Sequence, residues 1–555
     1  MAKVKPTHYI RQKKNVSRQV INKAGITNRV LPLNGLSLAR LLGFAAVGAA
    51  FVQLPLGASP PVVFLALVGS AFGLLGFAIL GAYNLASWVS LFYVLGNVLV
   101  ALYAKTVFLE PIDSRLYAPM PSFASIAVTC FALTAALVLV NNLKVGRPIL
   151  PPIRDHRLLF ALSWGCFGLG LVFWLVNRLS QDPGGSGFGG VAVLRHLLIM
   201  AVIARTAALL EQSLNRRSFD AQLGWIIACS ASVGFLDNTK TAAALPVVGH
   251  FATILFYRRG IPIRAIAILA IGAALFVLVV TPVIHGLRAM GQKQLPLGER
   301  AEFVISNFQS LLSNPEYFIQ LEQLAAGQFN RIHYNYFGDH GSQMILGRYA
   351  SVQQVDPVIA EVNRLRPLGG EAVWPALGRL VPSFIYPDKP QYTEAFNTLV
   401  YYDLVNPDGG KFPTLPLAGQ TYAAYGVPGL LIIPFVTFFV FFLVLKKLGW
   451  QLHRNIYAIF FFCSFVVVYV NQGSFGQYMG ASLRNFPLLA VAFLLIVRFC
   501  KILLQPIKHR RYPAAVEHKA IGIKRLWPTK PTAPASTLAT SSPESRRWRR
   551  RPWPD

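Results

Sequence analysis

The chain has 555 residues, 54% of them hydrophobic and 13% charged, with a mean hydropathy of +0.48 and a formal net charge of +30. A soluble domain cannot bury that much apolar side chain, so the composition excludes an ordinary water-soluble protein. Such a positive balance raises nucleic acid as a partner, and the placement of the charge argues against one.

Residues 1–35 are polar and basic, and the first apolar run lacks a small-residue cleavage pattern, so it reads as an uncleaved anchor. A membrane-crossing helix needs about 20 apolar residues. Runs of that kind fall at 36–56, 61–82, 85–104, 122–141, 158–176, 190–210, 221–237, 241–257 and 265–285, then, after a long interval, at 427–445, 455–471 and 485–504. Lipid contains no water to satisfy backbone groups, so helices are expected throughout, and the alternating pattern of a β-barrel is absent. The expected fold is an all-α polytopic membrane protein of about twelve transmembrane helices. Nine helices in 36–285 precede a large loop, 286–421, and three close the bundle in 422–504. A basic tail, 505–555, rich in Pro, Ser, Thr and Arg, is expected to be disordered.

With the N-terminus cytoplasmic, the loops 141–157, 211–220, 257–264 and 446–454 and the tail all fall inside, and all are basic, as the positive-inside rule requires. The loop 286–421 then faces outward and holds 12 of the 22 acidic residues but 10 of the 52 basic ones. The excess positive charge therefore lies on the inner face, where topology and attraction to anionic lipid account for it. At this length the loop is expected to be functional or disordered. Its aromatics, and the amphipathic runs 314–329 and 355–365, argue for order.

Cations gather near the outer helix ends: Arg195 and His196 on the sixth span, Lys240 beside Asp237 at the turn between the seventh and eighth, and His285 and Arg288 after the ninth. Ionisable groups at membrane depth are costly, and arginines grouped at one level suit a phosphate or pyrophosphate. The alternative is snorkelling to headgroups together with an Asp237–Lys240 pair; Arg205, near an inner end, is expected to snorkel. In the loop, RIHYNYFGDHG (331–341) places Arg331, His333, Tyr334, Tyr336, Asp339 and His340 together. Aromatic faces beside hydrogen-bonding groups suit a sugar, and His333, Asp339 or His340 could act as a general base toward an acceptor hydroxyl. All five cysteines lie inside spans and read as core residues. No P-loop, nucleophile elbow or metal-ligand spacing is present, so no cofactor or metal is expected.

The stretch ALGRLVPSFIYPDKP (376–390), followed by AGQTYAAYGVPG (418–429) just before the next span, resembles bacterial polysaccharide polymerases of the Wzy, or O-antigen polymerase, type. The likeness covers most of the chain in layout and about 376–430 in sequence. It implies a GT-C-like bundle in the bacterial inner membrane, with both termini cytoplasmic and the large loop periplasmic. The implied activity is polymerisation of undecaprenyl-pyrophosphate-linked repeat units, with that lipid-linked oligosaccharide and membrane lipids as partners, a flippase and a chain-length regulator in the same pathway, and no nucleic acid. Carried over, Arg379 and Lys389 are the motif's cations and Arg288 the cation after the preceding span. Tyr386 and Tyr422 are candidate glycan contacts, and Gln420 stands where the family's pattern has an acid. An O-antigen ligase-type enzyme and a lipid-linked glycan flippase remain the alternatives.

Overall fold

The computed structural model describes residues 30–32, 34–179, 191–237, 239–258, 260–262, 350–381, 386, 393–405 and 414–505, with a few more between 268 and 349. The described chain is helical. Its one exception is an antiparallel pair of three-residue strands, β1 (Val30–Pro32) and β2 (Gly260–Pro262), with Val30 opposite Pro262.

Helix ends follow local chemistry. Asn34 caps α1 (Gly35–Gln53) by accepting from Leu36 N at 3.1 Å. A proline opens α2 (Pro60–Leu80), where its missing N–H is harmless. The GAYN run at 81–84 makes the tight turn before α3 (Leu85–Val107), with Gly81 at φ +72° and Asn84 as the next cap. There follow α4 (Pro119–Asn142), α5 (His156–Leu179), a 3₁₀ turn (Val191–His196) leading into α6 (Leu197–Gln212), α7 (Ala221–Leu236) and α8 (Lys240–Arg258). Within the long loop lie α9 (Val352–Arg364), on the expected amphipathic run, and α10 (Glu394–Tyr401). The closing helices are α11 (Leu417–Leu448), α12 (Ile456–Tyr469) and α13 (Phe475–Leu504).

Eight of these helices are long and apolar enough to cross a membrane: α1 to α5, Val193–Gln212, α11 and α13. The runs expected at 221–237 and 455–471 form shorter apolar helices, and 241–257 forms α8; of the run at 265–285, 268, 271 and 272 are described, and the rest lies outside the described residues. Large apolar side chains such as Leu41, Phe44 and Phe51 on α1, and Leu495, Phe499 and Leu503 on α13, are exposed, which fits helices solvated by lipid. The chain is thus a helical, polytopic membrane protein.

Hydrogen bonds sort the connections into two ends. At one end Leu85 N donates to Trp450 O and Leu452 N to Tyr83 O, both at 2.8 Å, while Lys446 Nζ donates to the carbonyls of Val140, Asn141 and Leu143 at 2.7–2.9 Å. At the other end the long loop docks onto the bundle. The buried Asp356 carboxylate accepts from Tyr117 N, Ala118 N and Ser122 Oγ at 2.7–2.9 Å, and so holds α9 against the start of α4. Tyr336 Oη donates to Ile112 O at 2.7 Å with Lys105 Nζ 4.4 Å above its ring.

Among the described helices, four depart from α geometry. π-turns occupy Leu95–Leu99 in α3, Phe462–Val466 in α12 and Ala481–Asn485 in α13. In α11 the backbone breaks at Tyr425 and Gly426, where φ +62° requires a residue without Cβ; the break falls within AGQTYAAYGVPG.

Candidate functional site

A cleft of about 530 Å³ opens among the 3₁₀ turn before α6, the short turn Pro375–Gly378 with its following residues, the start of α10, and helices α12 and α13. Three arginines reach its wall from three different elements: Arg195, Arg379 and Arg484.

Each is held differently. Arg195 Nη1 donates to Asp237 Oδ2 at 2.9 Å. Asp237, its side chain 3% exposed at the end of α7, also accepts from Trp174 Nε1 at 2.9 Å and from the Arg178 guanidinium, whose Nε lies at 2.8 Å. The fold brings Arg178 and Arg195 to the Asp237 carboxylate, from α5 and the 3₁₀ turn. Arg379 follows the Pro375–Gly378 turn and stands 4.0 Å from Glu394 Oε2. Glu394 is 2% exposed and accepts from Gly476 N at 3.1 Å and Ser474 Oγ at 3.3 Å. Gly476 is required there, because a Cβ would come within 2.3 Å of Glu394 Oε1. Arg484 lies in the π-turn of α13, donating Nη1 to Arg379 O at 3.2 Å and Nε to Asn485 Oδ1 at 3.1 Å. Among the described residues no acid contacts it.

Among the described residues, four guanidinium groups, those of Arg178, Arg195, Arg379 and Arg484, thus stand with two carboxylates, Asp237 and Glu394, a sum of +2 over these six groups. Neighbouring cations there are repelled from one another unless an anion joins them. Deeper in the cleft, Phe465, Phe486 and Leu489 give an apolar wall. Ser464 lines it too, buried, and among the described residues nothing bonds its hydroxyl. The arrangement can therefore take a doubly charged, phosphate-like group attached to an apolar chain.

Of the residues expected at a site, the structure brings Arg195 and Arg379 together, with His196 on the same wall. Lys240 opens α8 close to Asp237 in sequence but does not line the cleft. Tyr386 is exposed, its ring edge facing Gly378. Gln420 is fully buried and acts as a strut: its Nε2 donates to Ala372 O at 2.6 Å and its Oε1 accepts from Phe475 N at 2.7 Å. Tyr422 Oη donates to Asn363 Oδ1 at 2.6 Å, joining α11 to α9. His333, Asp339, His340, Arg288, Arg331 and Lys389 lie outside the described residues. From the run 331–341, Tyr336 and Phe337 are described and are buried packing residues; burial raises the Tyr336 phenol well above its usual pKa, so it serves as a neutral donor.

Arg484 and Arg178 escaped the sequence reading. Both sit at the ends of apolar runs, in SLRNFPLL and WLVNRL, where a span drawn one or two residues short leaves them in a loop. Like Arg195, each is a cation beside an apolar run, and that is the signal that marks them. Arg205, expected to snorkel, is instead buried, pairs with Asp220 and lies 4.5 Å over the Phe160 ring. Comparison of the chain with family models, with curated proteins and with solved structures finds no match to any of them.

Proposed function

We propose that the chain is a membrane glycosyltransferase that polymerises undecaprenyl-pyrophosphate-linked oligosaccharide repeat units at the periplasmic face of a bacterial inner membrane. The observation that carries this reading is the meeting of Arg195, Arg379 and Arg484 in one cleft with an apolar floor. Arg379 belongs to the 376–390 stretch that resembles the Wzy-type motif. On this reading the chain crosses the membrane twelve times in a GT-C-like bundle, the ninth crossing at 265–285, with 286–421 periplasmic.

A pyrophosphate diester carries two negative charges, which the +2 over those six groups would balance, and the polyprenyl chain would run along Phe465, Phe486 and Leu489. The acceptor hydroxyl attacks the anomeric carbon as the bond to the pyrophosphate oxygen breaks, and polyprenyl pyrophosphate leaves with the electron pair. Guanidinium groups on that oxygen stabilise the charge that develops there. The link is already activated, so neither nucleotide nor metal is needed. The acceptor's proton goes to a base, for which His333, Asp339 and His340 are the candidates.

The test is deletion of the gene in its host, with surface and lipid-linked glycans analysed by gel and mass spectrometry. Single repeat units in place of long polymer support the reading. Long polymer stranded on the carrier would point to a ligase, and unchanged glycan would remove the proposal.

A further inference from the structure

A larger cavity, about 980 Å³, lies at the opposite end of the bundle. The starts of α5 and α7, the end of α6 with its following turn, and Leu504 of α13 enclose it. Its wall carries Arg157, Arg205, Arg216 and Arg217 against a single acid, Asp220. That acid is already committed twice: it pairs with the buried Arg205, and it caps α7 by accepting from Leu223 N at 2.8 Å. Three exposed guanidinium groups are left without a carboxylate on the wall.

The turn that carries two of them is fixed. Leu214 and Asn215 both hold left-handed backbone, at φ +51° and +68°. Two such residues in succession, one a leucine, persist where their surroundings over-determine them. Ser213 Oγ accepts from Arg217 N at 2.8 Å, and Asn215 N donates to Leu210 O at 2.7 Å. The strained turn thereby sets Arg216 and Arg217 on the cavity wall. It also leaves Leu214 84% exposed at the end of a membrane helix, where a leucine is at home in lipid. Phe160 and Leu504, both exposed, give the cavity apolar sides.

We propose that this cavity is a binding site for an anionic glycerophospholipid, its phosphates on Arg157, Arg216 and Arg217 and its acyl chains along Phe160 and Leu504. A basic pocket between helix ends is suited to acidic headgroups. Three cations exceed what one phosphate neutralises, which favours a lipid with two. Among the residues that line the cavity, no carboxylate besides Asp220 is present to receive the amine of a zwitterionic headgroup. The inference is independent of the proposed activity, since it concerns the other end of the bundle.

The full-length chain, stripped of lipid in a neutral detergent, is titrated with diphosphatidylglycerol, phosphatidylglycerol, phosphatidylcholine or inorganic phosphate while its melting temperature is followed. Bound lipid is counted by native mass spectrometry. The expected result is one diphosphatidylglycerol per chain, half-saturating at a concentration at least tenfold below phosphatidylglycerol, with no shift from phosphatidylcholine or phosphate. Arg216→Gln with Arg217→Gln should raise that concentration at least tenfold and leave the lipid-free melting temperature unchanged. Arg157→Gln, on a different helix, should act in the same direction if the double variant weakens the turn. Equal response to phosphate ion, equal response to phosphatidylcholine, or undiminished binding by both variants would each overturn the proposal.

Discussion

Asp237→Asn is the most informative single change at the cleft. The side chain keeps its shape, but its charge disappears and one oxygen becomes an NH₂ facing a guanidinium. Three donor groups converge on that carboxylate, from Trp174, Arg178 and Arg195. A hydrogen bond to a charged group contributes roughly 1.5–3 kcal/mol. The Arg178 and Arg195 side chains are 16% and 32% exposed, so water recovers part of what they lose. The net destabilisation should be on the order of 3 kcal/mol, at the lower end of what breaking a buried ion pair costs. Equilibrium unfolding in mixed detergent micelles would measure it for Asp237→Asn, Arg195→Gln and the double variant. If Asp237 holds Arg195 in place, the two changes should be non-additive by about 1 kcal/mol or more. Polymer yield in cells should fall in Asp237→Asn and be restored in part by Asp237→Glu. Additive energies together with full polymer yield would show that Asp237 does not hold Arg195 in place.

At the centre of the cleft, Arg484→Ala should abolish long polymer while the purified protein unfolds at nearly the parent midpoint; normal chain length on a glycan gel would show that Arg484 does not bind the donor. Arg484→Lys keeps the charge but loses the fork and should give short, sparse polymer. Gly476→Ala places a Cβ 2.3 Å from Glu394 Oε1 and should destabilise by about 1–3 kcal/mol, the usual range for overpacking. Adding Glu394→Ala should relieve much of that loss, and an additive double variant would contradict the contact. Asp356→Ala strips three donors at the start of α4 and should cost about 3 kcal/mol. Hydrogen exchange at 117–122 should then rise at least tenfold, and unchanged protection there would mean the loop is held by other contacts.

Most of the helices were legible because lipid imposes a length and a composition together. Runs such as PFVTFFVFFLVL (434–445) leave few alternatives to a buried or lipid-facing helix. Helix ends were legible where a cap or turn residue marks them, as at Asn34, at GAYN and at Asp220. The site was legible in part. Arg195 and Arg379 stood out because a cation near an apolar run or in a distinctive motif is conspicuous. What the sequence could not supply was the full set of partners of each charge. Asp237 and Lys240 are neighbours in sequence, whereas Arg178 reaches the carboxylate only because α5 packs beside α7, with Trp164 and Phe167 against Trp225. Gln420 shows the opposite failure: it occupies a motif position suggestive of a ligand, but both ends of its amide are spent joining Ala372 to the first residue of α13.

The irregular turns explain how an arginine can face the cleft from the middle of an apolar helix. α13 must present apolar side chains to lipid and to α12 above and below Arg484. A regular helix has one phase, and that phase would be interrupted by any polar residue turned the other way. A π-turn adds one residue to a single turn and shifts the phase of the helix beyond it. In α13 the added turn is Ala481–Asn485, so Arg484 and Asn485 point into the cleft while Phe486 and Leu489 resume apolar packing just beneath. α12 does the same across the cleft with Phe462–Val466, which carries Ser464 and Phe465 to the wall. Two facing helices that both break phase at one level are hard to explain by packing alone, since each break exchanges i→i−4 bonds for the rarer i→i−5 geometry, Val467 N donating to Phe462 O and Phe486 N to Ala481 O. The break is explained if that level must be polar on one side and oily on the other, which is what a charged headgroup on an apolar tail requires.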